Sequence, residues 1–247
     1  MDCLALFPQL PSASVDMILT DPPYGIGYCN QFTKRKHDVL NGDTGIDYDL
    51  FAKECFRILK MDSHAYFFTR FDCYPYHFLC LQNAGFTVKN CMVIEKGTIG
   101  GIGDLQGSYA NNAEWIIFCQ KGRRAFNQTS LMLNKKQCAT PSAGRKPVPQ
   151  YKTRFNACWF GAEHPKATYN STWQKKHEIF HPTIKNVECL SWLIQLSSLP
   201  GDLIFDGFMG TGSTALAALL NGRNYLGAEI NQEYYEIAQK RISNESW

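Results

Sequence analysis

The order of apolar and polar positions predicts alternating strands and helices at both ends of the chain. Short apolar runs at 16–20, 202–206 and 224–230 have the length and bounding turns of buried strands. Helical spacing of apolar residues recurs between and after such runs. The predicted helices are Tyr48–Leu59, Tyr74–Ala84, Asn186–Leu199, Ser213–Leu220 and Glu233–Ile242. Strands that alternate with helices in this way build a mostly parallel sheet, so the sequence predicts an α/β fold.

The middle of the chain has a different pattern. A strand is predicted at His64–Thr69, and two further strands, Thr87–Glu95 and Glu114–Cys119, flank a glycine-rich connection. We interpret this pair as an antiparallel hairpin with a long loop. Residues 121–180 have weak periodicity and many prolines and glycines. We therefore predict that this stretch is an inserted recognition region that lies outside the sheet.

Charge is distributed unevenly between this stretch and the rest of the chain. Residues 121–180 contain twelve Lys or Arg and two acidic residues, whereas the whole chain carries a net charge of only +3. Aromatic residues are interleaved with these basic residues. This combination suits binding of a polyanion that also carries rings on which the aromatic side chains can stack. A solvated loop region with some buried aromatics is the alternative. The expected nucleic-acid contacts are Arg123, Arg124, Lys152 and Arg154.

Composition restricts the class of protein. The chain has 247 residues, of which 45% are hydrophobic and 19% charged, so it can bury a large core and is not disordered. No apolar run reaches the roughly 18 residues of a membrane span, and no signal pattern opens the chain. Ten scattered cysteines without a C-x-x-C pair predict free thiols and no metal site. We expect a cytoplasmic protein of a bacterium or of a phage in its host.

A glycine-rich turn follows the predicted strand 202–206. Asp206, Phe208, Gly210 and Gly212 lead into the helix that begins with Ser213 and Thr214. Glycines let a backbone approach a ligand closely, and an acid about 20 residues later, here Glu229, accepts hydrogen bonds from ribose. The pattern favours a cofactor that contains a nucleoside. NAD and S-adenosylmethionine both suit it.

The tetrapeptide Asp21-Pro22-Pro23-Tyr24 ends the first predicted strand. Open α/β sheets place their ligands at this end of a strand. The amino group of a base is a poor nucleophile because its lone pair is delocalised into the ring. A carboxylate and a peptide carbonyl that accept its two N–H bonds expose that lone pair, and Tyr24 can stack on a base rotated out of the helix. The alternative is a turn that only ends the strand.

These motifs, in this order, resemble those of the β-group DNA amino-methyltransferases, in which the catalytic tetrapeptide precedes the cofactor turn. The resemblance covers essentially the whole chain and includes Leu10, Pro11, Ser14, Val15 and Asp16 and the segment His181–Lys185. Two departures are Gly207, where the family usually has Pro, and Ile184 and Asn186, where it usually has Gln and Pro. The family has the Rossmann-like class I methyltransferase sheet, mostly parallel with an antiparallel hairpin and with an inserted region that recognises DNA.

The resemblance implies S-adenosylmethionine as cofactor and double-stranded DNA as substrate. It also implies roles for individual residues. Asp21, Pro22, Pro23 and Tyr24 are expected to be catalytic. The cofactor is expected to contact Asp2 at its adenine, Glu229 at its ribose, Thr183 and Lys185 at its amino-acid end, and Asp206, Phe208, Gly210, Gly212, Ser213 and Thr214 in the turn. Residues 1–120 and 181–247 would then be the catalytic and cofactor halves of one domain, separated by the recognition region 121–180.

We therefore predict methyl transfer to the N6 amino group of adenine in a specific DNA sequence. N4-cytosine methylation is the main alternative, although the family tends to have Ser at position 21 for cytosine. Methylation of RNA or of a protein glutamine, and a DNA-binding relative without catalysis, stay open as well. A homodimer and a cognate restriction nuclease are expected partners.

Overall fold

The computed structural model describes residues 1–24, 46–95, 107, 113–127, 157–160 and 184–244. Seven strands in these ranges form one sheet: β1 Val15–Thr20, β2 Leu59–Thr69, β3 Thr87–Glu95, β4 Ala113–Lys121, β5 Cys158–Phe160, β6 Leu203–Asp206 and β7 Asn224–Gly227. The helices are α1 Cys3–Leu6, α2 Tyr48–Ile58, α3 Tyr74–Asn83, α4 Val187–Ser197, α5 Ser213–Leu220 and α6 Gln232–Asn244. A 3-10 turn follows α1 at Phe7–Gln9.

The strand order is β5-β3-β4-β2-β1-β6-β7. Strand β1 is parallel to both β2 and β6, and β6 is parallel to β7. The hairpin strands β3 and β4 are antiparallel to each other, and β4 is antiparallel to β2. The predicted mostly parallel sheet with an antiparallel hairpin is therefore confirmed.

One part of the sequence prediction is wrong. Residues 121–180 were expected to lie outside the sheet, but Cys158–Phe160 form strand β5, which runs parallel to β3 at the edge of the sheet. The pairing joins Val93 to Cys158 and Glu95 to Phe160. A three-residue strand produces no detectable periodicity, so only its long-range pairing reveals it. The stretch 121–180, called the basic block below, therefore contributes a strand to the sheet.

Both faces of the sheet are buried, which explains why its strands have continuous apolar runs. Helices α4 and α5 cover one face, where they pack on residues such as Met17, Phe68 and Ile116. Helices α1, α2 and α3 cover the other face, where they pack on residues such as Ile18 and Phe67. The sequence pattern missed α1, because four residues are too few for a helical period. The Asp2 carboxylate caps this helix by accepting a hydrogen bond from Leu4 N at 2.9 Å.

A buried hydrogen-bond chain attaches the start of the basic block to the sheet. The Tyr66 hydroxyl lies 2.7 Å from Ser197 Oγ, which lies 2.8 Å from His64 Nδ1. His64 Nε2 lies 3.1 Å from the carbonyl oxygen of Arg124. The same Nε2 lies 3.1 Å from the side-chain amide nitrogen of Gln120, so both ring nitrogens have hydrogen-bonding partners. Burial lowers the pKa of His64 to about 4.

This network predicts that the protein loses stability in acid. A histidine whose pKa is lower in the folded chain than the ordinary 6.5 is held neutral, so protonation favours the unfolded chain as the pH falls from 6.5 towards 4. Between pH 7 and pH 5 the contribution of His64 should fall by about 2 kcal/mol. In a His64→Gln chain the loss of unfolding free energy over that range should be smaller by about this amount. Urea titrations at both pH values measure it, and equal losses in the two chains would contradict the assignment.

None of the described helices is both long and apolar enough to cross a membrane. Seven cysteines in the described ranges are free thiols, and five of these are buried. In the same ranges no group of three or more His, Cys, Asp or Glu side chains is placed to hold a metal ion.

Candidate active site

The chemistry-bearing residues meet where the parallel strands end. Ile18 of β1 pairs with Phe205 of β6, so the residues that follow, Thr20-Asp21 and Asp206, emerge at the same edge of the sheet. A cleft opens there. It is lined by Thr20, Asp21, Phe68, Ile184, Lys185, Asp206, Phe208, Met209, Gly210, Thr211, Ser213 and Thr214.

Both carboxylate oxygens of Asp21 have partners. The Tyr24 hydroxyl donates to Oδ1 at 2.6 Å, and Lys185 Nζ lies 2.8 Å from Oδ2. Burial and the neighbouring Asp21 charge raise the pKa of Tyr24 well above its ordinary value, so this hydroxyl stays protonated and donates. Pro22 is buried and fixes the backbone between these two residues. The tetrapeptide thus presents a held carboxylate to the cleft.

Aromatic rings support Tyr24 from α2 and α3. Its ring centroid is 6.2 Å from that of His77, which in turn stacks on Tyr48 at 3.8 Å with an interplanar angle of 5°. His77 Nδ1 also lies 2.9 Å from Thr69 Oγ1 at the end of β2. Burial lowers the pKa of His77 to about 4, so the ring is neutral at physiological pH. It is a structural neighbour of the tetrapeptide that the sequence motifs did not single out.

Lys185 lines the cleft and is paired with two carboxylates. Its ammonium lies on Asp21 and also 3.4 Å from Glu114, and it stands 4.6 Å above the ring of Phe68. Burial alone would lower the pKa of Lys185, but the charges of Asp21 and Glu114 raise it above its ordinary value. Sequence reasoning missed Glu114. The available signal was a carboxylate at the start of a strand whose next residues are apolar.

The glycine-rich turn adopts a backbone conformation that favours glycine. Gly210 and Gly212 have positive φ angles of 50° and 81°, and Gly212 is the N-cap residue of helix α5. Beneath the turn, Asp206 Oδ1 accepts hydrogen bonds from Thr20 Oγ1 at 2.8 Å and from Phe208 N at 3.0 Å. Burial raises the pKa of Asp206 to about 6, although these hydrogen bonds oppose the shift. The turn therefore has a carboxylate at its base.

Glu229 holds the turn from the neighbouring strand. It lies two residues beyond the end of β7, which stops at Gly227 and is shorter than predicted. Its Oε2 accepts from Gly210 N and its Oε1 from Asn231 N, both at 2.7 Å. Each oxygen keeps a second lone pair, so these bonds leave acceptors for ribose hydroxyls. Asp2 caps α1, and the next residue, Cys3, packs beside Gly207 of the turn.

The cleft suits a cationic cofactor better than a pyrophosphate. Asp21 and Asp206 contribute two carboxylates, and Lys185, the one lysine among the described lining residues, is already paired with acids. Carboxylates attract a sulfonium cation and repel a pyrophosphate. Of the two cofactors that the glycine pattern leaves open, S-adenosylmethionine therefore fits this donor set and NAD does not. Phe208 adds an apolar wall, since its ring lies 5.3 Å from that of Phe51.

Two of the predicted DNA contacts, Arg123 and Arg124, lie away from this cleft. Lys121 pairs with Ser63 of β2, whereas the cleft lies beyond Thr69, where that strand ends. Arg123 and Arg124 follow Lys121, so they lie roughly 20 Å away along the strand. Lys152, Arg154 and Thr183 lie outside the described residues. The DNA-binding role of the four basic residues stays a prediction.

Comparison with known proteins agrees with this geometry. The adenine methyltransferase YhdJ of Escherichia coli (strain K12) is 28% identical over 249 residues, which cover 98% of this chain and 80% of that protein. The fold is shared with M1.HpyAVI, solved as a complex with S-adenosylmethionine, at 19% identity and a TM-score of 0.64 over 98% of this chain and 96% of that one. It is also shared with the N4-cytosine-specific PvuII DNA methyltransferase, at 17% identity and a TM-score of 0.68 over 98% and 84%.

A family model decides the assignment. The model described as DNA methylase, which covers enzymes that act on N6 and N4 amino groups, matches residues 15–240. That match includes the tetrapeptide, the basic block and the cofactor turn, so the family predicted from their order is confirmed. The chain belongs to the N6/N4 DNA methylase family.

Proposed function

We propose that this protein methylates the N6 amino group of adenine in double-stranded DNA, with S-adenosylmethionine as methyl donor. The observation that carries the proposal is the Asp21 carboxylate, held at the mouth of the cleft beside the glycine-rich turn. Family membership supports DNA as the substrate. The basic block 121–180 is proposed as the region that recognises it, between a catalytic half at 1–120 and a cofactor half at 181–247.

The proposed role of the tetrapeptide is to prepare the amino group. Asp21 and the carbonyl of Pro22 accept its two N–H bonds, which localises the nitrogen lone pair, and Tyr24 stacks on the flipped base. S-adenosylmethionine supplies a methyl group on a sulfonium sulfur, and that sulfur keeps the electron pair of the broken bond. The nitrogen gains the methyl group and a positive charge, and then loses one proton to solvent water. Asp21 stabilises this charge and orients the proton as it leaves.

The cofactor half is proposed to align the donor. Carboxylates of Asp206 and Asp21 favour its positive charge, Glu229 accepts from its ribose, and Phe208 packs beside it. Gly210, Gly212, Ser213 and Thr214 form the turn around it, with Asp2 and Thr183 retained as predicted contacts. Alignment of the reacting groups lowers the activation barrier by several kcal/mol, out of the roughly 7–11 kcal/mol that orientation can supply.

Adenine is proposed over cytosine because the tetrapeptide begins with Asp and because YhdJ, a relative over most of the chain, is named as an adenine enzyme. The likeness to the N4-cytosine PvuII enzyme keeps cytosine as the second candidate. Both bases present an amino group, so the same carboxylate serves either. A homodimer and a cognate restriction nuclease stay predictions.

Nucleoside analysis distinguishes these candidates. The protein is incubated with labelled S-adenosylmethionine and unmethylated bacterial DNA, and the digested DNA is examined by mass spectrometry. N6-methyladenine is the expected product. N4-methylcytosine would keep the mechanism and overturn the base, and no methylated base with the cofactor still bound would favour a DNA-binding relative without catalysis.

The raised pKa of Asp206 predicts pH-dependent cofactor binding. The carboxylate loses its charge as the pH falls through about 6, and a neutral acid no longer attracts the sulfonium cation. Affinity for S-adenosylmethionine should therefore fall by up to about tenfold per pH unit below 6. Calorimetric titrations between pH 5 and pH 8 measure this. An Asp206→Asn chain should bind more weakly at pH 8 and show a flatter profile; parallel profiles would contradict the role.

A further inference from the structure

The best-defined arrangement that the family motifs do not explain is the ion cluster behind Asp21. Lys185 Nζ lies 2.8 Å from Asp21 Oδ2 and 3.4 Å from Glu114 Oε2. The side chains are little exposed, at 12% for Lys185, 25% for Asp21 and 23% for Glu114. Ion pairs with this little solvent are screened weakly, so their geometry affects the charge that the cleft presents.

The topology explains why three distant residues meet. Trp115 of β4 pairs with Thr69 of β2, so the beginning of β4 lies at the same edge of the sheet as the end of β1. Side chains alternate between faces, which places Glu114 on the face that carries Phe68 and Ile116. Helix α4 covers this face, and Lys185 lies two residues before that helix begins. The lysine therefore enters between Asp21 and Glu114.

The cluster fixes Asp21 at both oxygens. The ammonium of a lysine, on its four-carbon stem, is usually a flexible partner. Here the ammonium of Lys185 is restrained by the Phe68 ring, at 4.6 Å from the ring centroid, and by the carboxylate of Glu114. Tyr24 holds the opposite oxygen at 2.6 Å. The orientation of the carboxylate thus depends on a lysine whose own position depends on Glu114.

The charge balance gives Glu114 a second effect. Asp21 and Lys185 alone form a neutral pair, whereas the three groups together carry a net charge of −1. Methyl transfer places positive charge on the amino nitrogen, and a site with net negative charge stabilises that charge without moving. Glu114 therefore restores to the cluster the negative charge that Lys185 neutralises.

We propose that Glu114 and Lys185 are positioning residues for Asp21, so that Lys185 serves the catalytic carboxylate and not the amino-acid end of the cofactor. This inference rests on the proposed role of Asp21 in methyl transfer. It assigns Glu114, which belongs to neither motif, a part in the chemical step. It also separates two functions that can be measured independently, because positioning affects kcat and cofactor contact affects binding.

The test compares Glu114→Gln, Lys185→Met and Lys185→Arg chains with the wild type. Because loss of a hydrogen bond to a charged group is the expected defect, kcat should fall about tenfold for Glu114→Gln and about a hundredfold for Lys185→Met. The Kd for S-adenosylmethionine, measured by calorimetry, should change less than about threefold. Lys185→Arg should recover at least about tenfold of what Lys185→Met loses, since its guanidinium still bridges two carboxylates.

A matched control is available on helix α2. Glu54 is also ion-paired, to Arg57 at 2.7 Å, and its side chain is 26% exposed. Glu54→Gln makes the same chemical change at similar burial away from the cleft, so kcat should stay within twofold. Since a Lys185→Met chain that unfolds would lose activity trivially, thermal melts are recorded for every variant, and the inference depends on Glu114→Gln and on the arginine rescue.

Three outcomes would overturn the inference. The first is a Glu114→Gln chain with wild-type kcat, and the second is a Lys185→Met chain with unchanged kcat and a Kd at least tenfold weaker, which would make Lys185 a cofactor ligand. The third is a Lys185→Arg chain as slow as Lys185→Met. A fully active Asp21→Ala chain would instead refute the proposed function itself, so the two failures are distinguishable.

Discussion

An Asp21→Ala protein is expected to transfer methyl groups at least about a thousandfold more slowly than the wild type, because it loses the carboxylate that prepares the amino group and stabilises its charge. Cofactor binding should persist, since the glycine-rich turn, Asp206 and Glu229 are untouched. Single-turnover transfer of labelled methyl groups to DNA measures the rate, and calorimetry measures the Kd.

Asp16 provides the control for this experiment. It lies on β1, the strand that ends just before Asp21, and its carboxylate pairs with Lys60 at 2.7 Å and accepts from Leu203 N at 3.0 Å. Because Asp16 lies away from the cleft, the Asp16→Ala protein should be less stable than the wild type. Its methyl-transfer rate at saturating substrate should stay within twofold of the wild-type rate. If both variants were equally slow, the effect would be one of folding, and the catalytic role of Asp21 would be wrong.

A Gly227→Ala protein is expected to lose about 3 kcal/mol of unfolding free energy or more, since overpacking at a rigid site has costs of this order. A methyl group at Gly227 would collide with the carbonyl oxygen of Asp206 and with the side chain of Met209. Both neighbours belong to the cofactor turn, where Met209 N also donates to Ala228 O at 2.8 Å. The Gly227→Ala protein should therefore lose affinity for S-adenosylmethionine as well as stability.

The matched substitution is Gly201→Ala. A methyl group there meets no atom within 4 Å, although the φ angle of +87° makes any side chain unfavourable. It should cost about 1 kcal/mol and leave cofactor affinity unchanged. Urea unfolding measures the stability of both variants, and calorimetry measures their affinity for S-adenosylmethionine. Equal losses at the two glycines would show that the close approach at Gly227 is not costly, which would contradict the prediction.

Local pattern predicted much of the fold. Strand Thr87–Glu95 and helix Ser213–Leu220 were predicted to the residue, because each is bounded by turn residues and carries a clear apolar pattern. The pattern predicted that β2 begins at His64, because polar residues such as Lys60 and Asp62 precede it, but the strand begins at Leu59. Leu59 pairs with Val15 of β1, and the register then shifts before His64 pairs with Met17. Local pattern therefore fails where long-range pairing decides the structure.

The residues of the candidate site likewise fall into those that local pattern predicts and those that it misses. The tetrapeptide and the glycine turn were found because each is a contiguous motif at the end of a predicted strand. Glu114 and His77 were missed, because they join the site only through the order of strands and the packing of α3. The position of Lys185 on Asp21 depends on the same tertiary geometry.

The hydrogen bond from Tyr24 to Asp21 sets an entry condition for the target base. With Lys185 on one oxygen and the Tyr24 hydroxyl on the other, an incoming base must donate an N–H to a remaining lone pair of these oxygens or replace the hydrogen bond from the tyrosine. Adenine and cytosine offer an N–H donor at the relevant edge, whereas thymine presents a carbonyl oxygen that a carboxylate repels. The pocket can thus reject a base by its hydrogen-bonding polarity before any methyl group moves. Choosing among amino-bearing bases, and among sequences, must then be the task of other parts of the chain.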